Sequence, residues 1–191
     1  MAKIPWGKPR IFVKDADAAN SNAYELFTPV EDSTELTPTK GDKLEAKIEG
    51  GENEDVKYKR STYALTFNIR KAKGRKAPFP ARDGVVDHHF AVMLQPEDPT
   101  CEGFYIEANT VSIDDTYTAA DGAIWQIQMD AVAAQSGDTV KWGQVNLNAA
   151  GTQVRFIERS SLENGGTPTN VIWTVNAEAN TNGEAGSDSS F

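Results

Sequence analysis

The sequence predicts an all-β protein, mainly antiparallel, folded as a two-sheet β-sandwich or partly closed barrel with at most a short helix. Two observations carry this expectation. Apolar residues recur with period two in one segment after another, which is the repeat of a strand with one buried face. Clusters of Gly, Pro, Asn and Asp interrupt those segments at short intervals, as the turns of a many-stranded fold require.

Along the chain, strands are expected at 11–14, 24–30 and 44–48. Between the first two, "DADAANSNAYELF" (15–27) begins with Asp and carries Ala, yet two Asn and a Ser interrupt it, so it reads as a loop or one short helix. The clearest strand comes next, where Tyr63, Leu65, Phe67 and Ile69 alternate with Thr62, Ala64, Thr66, Asn68 and Arg70. Phe90, Val92 and Leu94 repeat the pattern, as do Trp125, Ile127, Met129 and Ala131, and Val171, Trp173 and Val175. Further strands are expected at 104–109, 139–147 and 153–158. The breaks between them are "GG" (50–51), "PFP" (78–80), "PEDP" (96–99), "AADG" (119–122), "NAAG" (148–151) and "NGGTP" (164–168). The organisation that results is a single domain over 1–176. In it, 31–55 is an extended acidic loop and 148–176 supplies an additional hairpin or closing strands. The polar tail 177–191 has almost nothing to bury and is expected to be disordered.

Composition narrows the function. With 191 residues, 39% of them apolar and four Trp among them, the chain has enough material for a real core. A net charge of −9 argues against broad affinity for nucleic acid or anionic membrane, since both are polyanions. The single cysteine, Cys101, excludes an internal disulfide and a cysteine-based zinc site. The opening "MAKIPWGKPR" is not followed by an apolar run, so no signal peptide is expected, and no stretch approaches the roughly 20 apolar residues of a membrane span. Synthesis in the cytoplasm fits these features.

The sharpest feature is a reversal of charge. Residues 31–56 hold nine acidic side chains (Glu31, Asp32, Glu35, Asp42, Glu45, Glu49, Glu52, Glu54 and Asp55) and three lysines. Residues 57–76 hold eight basic ones (Lys57, Lys59, Arg60, Arg70, Lys71, Lys73, Arg75 and Lys76) and no acid. Three readings compete. The two halves could neutralise each other within a surface hairpin, where exposed ion pairs are individually weak. One subunit's acidic arm could meet another's basic edge, a head-to-tail contact that closes a ring or propagates as a fibre. The segment "RKAKGRK" (70–76) could be a nucleic-acid patch, which the negative balance and the lack of interleaved aromatics disfavour. The second reading nominates Glu49, Glu52, Glu54, Asp55, Lys57, Lys59, Arg60, Arg70 and Lys71 as contacts between subunits.

No catalytic, cofactor or metal site can be assembled. His88 and His89 are adjacent, so a strand would point them to opposite faces; a histidine bonded to backbone at the start of a strand is the expected role. No GxSxG, HExxH, P-loop or GxGxxG motif occurs. Asp114–Asp115 and Glu97–Asp98 are carboxylate neighbours in sequence, which is not the facing geometry of glycoside hydrolysis. Trp125 and Trp173 fall on alternating apolar faces and are expected in the core, whereas Trp6 and Trp142 leave sugar stacking open.

Two long stretches, "TPVEDSTELTPTKGDKLEAKIEGGENEDVKYKRSTYALTFNIRK" and "DGVVDHHFAVMLQPEDPTCEGFYIEANTVSIDDTYTAADGAIWQIQMDAV", together carry a resemblance. With "GGE" before "KRSTYALTF" and "DGAIW" opening a late strand, residues 5–147 resemble the tail tube proteins of long-tailed bacteriophages and prophages. The resemblance implies the sandwich shared with type VI secretion tube proteins. It also implies a structural role: subunits form hexameric rings, and rings stack into a tube through which DNA passes without specific binding. Partners would be further copies of the chain and other tail proteins (tape measure, tail terminator, baseplate). The protein would be made in the bacterial host cytoplasm and carried in the virion tail, with no cofactor, no membrane and no enzymatic activity. A secreted or surface carbohydrate-binding module and a type VI secretion tube subunit are the alternatives.

Overall fold

The computed structural model describes residues 4, 7–159 and 168–176. The fold there is all-β, with no helix among the described residues. The first six strands are β1 (Arg10–Asp15), β2 (Tyr24–Glu25), β3 (Glu35–Thr39), β4 (Lys43–Lys47), β5 (Asn53–Tyr58) and β6 (Thr62–Arg70). Next come β7 (Ala81–Arg82), β8 (Val85–Val86), β9 (Phe90–Gln95) and β10 (Gly103–Thr118). The last four are β11 (Gly122–Ala131), β12 (Val140–Leu147), β13 (Gln153–Glu158) and β14 (Asn170–Thr174). All strand pairs are antiparallel; one isolated bridge, Ala23 to Val175, is parallel. The expected tail 177–191 and Trp6 lie outside the described residues.

One large sheet runs in the order β14-β13-β12-β10-β11-β6-β3, and β9, β1 and β2 branch from β10; β4 and β5 form a separate two-stranded sheet. The large sheet folds over itself rather than closing into a barrel. Strand β10 makes this possible because its two halves have different neighbours. Residues Gly103–Ile106 pair with β12, and Phe104–Ile106 also pair with β9, whereas Asn109–Thr118 pair with β11. A register shift between Ile106 and Asn109 marks the change, and the buried Asn109 side chain repairs the ladder there by donating to the Phe90 carbonyl at 2.8 Å.

The burial pattern shows what the folding-over achieves. Ile11 and Val13 of β1, Phe90 and Val92 of β9, and Phe104 and Ile106 of β10 enter one core with Leu65, Phe67, Ile69, Trp125, Ile127 and Met129. The residues between them (Phe12, Ala91, Met93 and Tyr105) enter a second core with Val145, Val154, Phe156 and Trp173. Strands β1, β9 and the start of β10 are therefore apolar on both faces, covered by β6 and β11 on one side and by β12–β14 on the other. The expected alternation of Phe90, Val92 and Leu94 captures only one of those faces. Trp125 and Trp173 are buried, as their spacing predicts.

Close approach between neighbouring strands demands glycine at two places. Gly103 faces Gly143 across the β10–β12 pair; a Cβ on the first would stand 2.0 Å from the Leu94 carbonyl oxygen, and on the second 2.1 Å from that of Ile157. Residues 148–176, expected as an additional hairpin or closing strands, provide β13 and β14 and much of the second core's lid.

Because one set of strands serves both cores, Phe67→Ala in the first and Phe156→Ala in the second should each cost about 3–5 kcal/mol. Both should shift a single urea transition. Two resolved transitions would show instead that the cores fold independently.

Candidate functional site

Strands β4 and β5 form a hairpin that buries none of its residues. Its turn is possible because Gly50 and Gly51 adopt φ of 112° and 89°, a region closed to most side chains. Cross-strand pairs run from Lys43–Tyr58 to Lys47–Asn53, with a shift after Ala46. Successive residues alternate in direction, so Val56 and Tyr58 show on one face while Leu44 and Ala46 show on the other. Leu44, Ile48, Val56 and Tyr58 are all exposed. A two-stranded ribbon of this kind is at best marginally stable alone in water.

Charge is partly compensated along the hairpin. Glu45 pairs with Lys43 and lies 3.8 Å from Lys47, Lys59 reaches Asp42 at 3.2 Å, and Lys40 sits over the Tyr58 ring at 4.8 Å. At and beside the tip, Glu49, Glu52, Glu54 and Asp55 make no ion pair among the described residues; neither do Lys57 and Arg60. The acidic group and Lys57–Arg60, nominated from the sequence as opposing surfaces, thus belong to a single element and its root.

The remaining nominated residues lie elsewhere. Arg70 ends β6 and donates to the Asp121 carbonyl at 2.5 Å; Lys71 pairs with Asp115 at 2.5 Å and lies 5.4 Å from the Trp125 ring centre. Arg75 covers the Phe27 ring at 4.4 Å, and Lys73 and Lys76 have no ion pair among the described residues. Since β6 is nine residues of extended chain, this basic turn and the hairpin root are separated by on the order of 26 Å. An acidic projection stands at one end of the strand and a basic turn at the other.

Two further features stand apart from the charge pattern. A groove of about 720 Å³ is lined by Pro9, Val30, Leu36, Phe104 and Trp142, with Glu31, Asp32 and Glu102 among its polar groups. Trp142 is 45% exposed and packs edge-on to Phe104, their ring centres 5.4 Å apart. The neighbouring carboxylates singled out from the sequence serve other ends: Glu97 accepts from the Lys8 N–H, Asp98 from the Thr100 N–H and hydroxyl, and Asp115 holds Lys71.

The histidines correct an expectation. Their side chains meet carboxylates rather than backbone: His88 Nδ1 lies 2.6 Å from Asp15 Oδ2, and His89 Nδ1 lies 3.0 Å from Asp17 Oδ2. The Asp17 carboxylate also accepts the His89 backbone N–H at 2.7 Å. Asp15 uses its other oxygen to accept the Asp17 and Ala18 N–H groups, so the pairs tie loop 16–21 to the start of β9. The Asp15 hydrogen bond and charge raise the His88 pKa, and the His89 N–H lowers that of Asp17. No cluster among the described residues could hold a metal ion.

No protein-family model matches the chain, and no curated protein matches it. Among the described residues no helix is long and apolar enough to cross a membrane.

The two histidine pairs make the loop sensitive to pH in a defined direction. The His88 contribution is complete below its ordinary pKa of 6.5 and is lost as pH rises through the raised value. The Asp17 contribution is complete above its ordinary 3.8 and is lost as pH falls through the lowered value. Protection factors for the amides of residues 16–21 should therefore peak between those limits. His88→Ala should abolish the decline on the alkaline side; a flat profile in the parent protein would refute the tie.

Proposed function

We propose that the protein is a structural subunit of a phage or prophage tail tube, assembling head to tail into stacked hexameric rings that enclose a path for DNA. The observation that carries this reading is the polarity of β6. A hairpin with uncovered apolar residues and unpaired carboxylates stands at its start, and a turn with unpaired lysines stands at its end. Such a subunit offers a repeating copy complementary surfaces that cannot meet within one chain.

Other features are in keeping with it. The large sheet ends in β3 and β14, and ring closure is one way for a protein to cover open edges. Edge strand β3 contains Pro38, whose missing N–H is tolerated at an edge. An acidic chain also suits a conduit, because a basic wall would hold the phosphates of passing DNA.

A charge swap tests the proposal. Reversing Glu49, Glu52, Glu54 and Asp55 to Lys should abolish rings and tubes in negative-stain micrographs while leaving the fold intact by circular dichroism. Mixing that variant with one carrying Lys73→Glu and Lys76→Glu should restore mixed assemblies. A parent protein that forms no ring or tube under any assembly condition would sink the reading; assembly indifferent to both reversals would sink this contact alone.

The exposed Trp142 beside three carboxylates favours a second reading, a carbohydrate-binding module, since an aromatic face flanked by hydrogen-bond acceptors suits a sugar ring. That reading expects glycan-array binding that disappears in Trp142→Ala. The tube reading expects no binding in either protein. A type VI secretion tube subunit would share the assembly and differ in its partners.

A further inference from the structure

A cavity of about 480 Å³ opens where the second core meets loop 16–19, between the start of β9, the middle of β10 and β14. Its inner wall is made by Tyr105 and Trp173, whose rings meet edge to face with centres 5.7 Å apart. Carboxylates of Asp15, Asp17 and Glu107 contribute to its lining, with His89 beside them. Ala91, Ala108 and Ala133 keep the remaining surface small and apolar.

Tyr105 distinguishes this place from a mere acidic cluster. It is 7% exposed, it lines the cavity, and its hydroxyl has no hydrogen-bond partner among the described residues. Its oxygen is not sealed from solvent, unlike the buried and unpartnered Gln95 Oε1 and Asn109 Oδ1, so it is open to a donor bound in the cavity. Burial, with help from the charge of Glu107, pushes its pKa up to about 12, so it stays a neutral hydroxyl at physiological pH.

We infer that this cavity binds a small organic cation, a primary ammonium on a short alkyl chain, with the ammonium at Tyr105 and Glu107 and the chain against the alanines. The chemistry comes from the groups present. An ammonium donates to the Glu107 carboxylate and to the phenol oxygen, and its positive charge is favoured near the aromatic rings. The volume is within the range of small-molecule pockets, roughly 300–1,000 Å³.

The rim makes binding depend on pH. Lys14, Asp15, Asp17, Asp87, Glu107, His88 and His89 are the charged and titratable groups around it. When His88 is protonated, it offsets Asp15; once neutral, it leaves that charge uncompensated. Affinity for an ammonium should thus rise with pH through the histidine range, well below the alkylammonium's own deprotonation near that of lysine at about 10.4.

The experiment is a titration of the full chain with n-butylammonium chloride at constant ionic strength, followed by backbone amide shifts of Ala108 and Ala133. n-Butanol serves as the uncharged control. The expected result is a saturable shift with butylammonium and none with butanol. Glu107→Gln should weaken it about tenfold, the loss expected for one hydrogen bond to a charged group. Tyr105→Phe should weaken it too, and the parent's affinity should increase as pH rises above 6.5, through the raised His88 pKa. The inference is overturned by the absence of saturable binding, by equal response to butanol, or by unchanged affinity in Glu107→Gln. The last variant alters an exposed side chain, so it remains informative if Tyr105→Phe does not fold.

Discussion

The centre of β1, most of β9 and Gly103–Ile106 of β10 have no face left for water, and the rest of the architecture depends on that constraint. An ordinary sandwich strand needs one apolar covering layer; these need two. Phe12, Met93 and Tyr105 face one way while Ile11, Val13, Val92 and Ile106 face the other. A single continuous sheet meets the requirement only by passing a strand from one layer to the next. β10 does this through its bulge, with Asn109 supplying the bond that the shifted ladder loses. The glycine pair at 103 and 143 lets β10 and β12 lie close to their other ladder neighbours, β9 and β13, where any side chain would strike a carbonyl.

Within that frame, the polar features sort by whether the chain itself satisfies them. Arg10 and Glu25 are paired by two bonds of 2.7 and 2.8 Å across the β1–β2 edge, and the loop aspartates are held by histidines. By contrast, the carboxylates near the hairpin tip make no ion pair among the described residues, and neither do Lys73 and Lys76 after β6. Inside the fold, Gln95 Oε1 and Asn109 Oδ1 are the buried side-chain atoms left without a partner among the described residues, and outside it the charge pattern stays open at two ends of one strand.

How much of this was legible depends on whether apolar burial fixes the element. Leu65, Phe67 and Ile69 pair with Met129, Ile127 and Trp125 across β6 and β11, and both strands were readable from period two. Strand β10 runs nine residues past the expected end at 109, because beyond Ile113 its exposed residues are held by pairing with β11 rather than by a buried face. β3 and β5 were hidden for the same reason: nearly every residue in them is exposed, so only ladder bonds define them. Conversely, the strand expected at 24–30 shrinks to Tyr24–Glu25, since Leu26 packs into the first core without a long ladder to extend β2. The charge reversal was legible as composition, yet not its division into a hairpin root and a distant turn, which the length of β6 imposes. The aspartate–histidine pairs join residues 73 and 72 positions apart, a distance no local pattern encodes.

The hairpin's energetics bear on how any assembly would proceed. Leu44, Ile48, Val56 and Tyr58 are each near half exposed, so covering them returns about 1 kcal/mol apiece. Four such gains reach only the low end of the roughly 4–15 kcal/mol that association costs in lost freedom. Screened surface charges add orientation and encounter rate more than affinity. One hairpin docking on one neighbour is therefore too weak to hold two subunits together. If subunits are first joined side by side, however, all their hairpins present at once, and each successive contact becomes effectively intramolecular. On the tail-tube reading, the weakness of a single arm is what keeps free subunits apart in solution, and ring formation is what makes stacking possible.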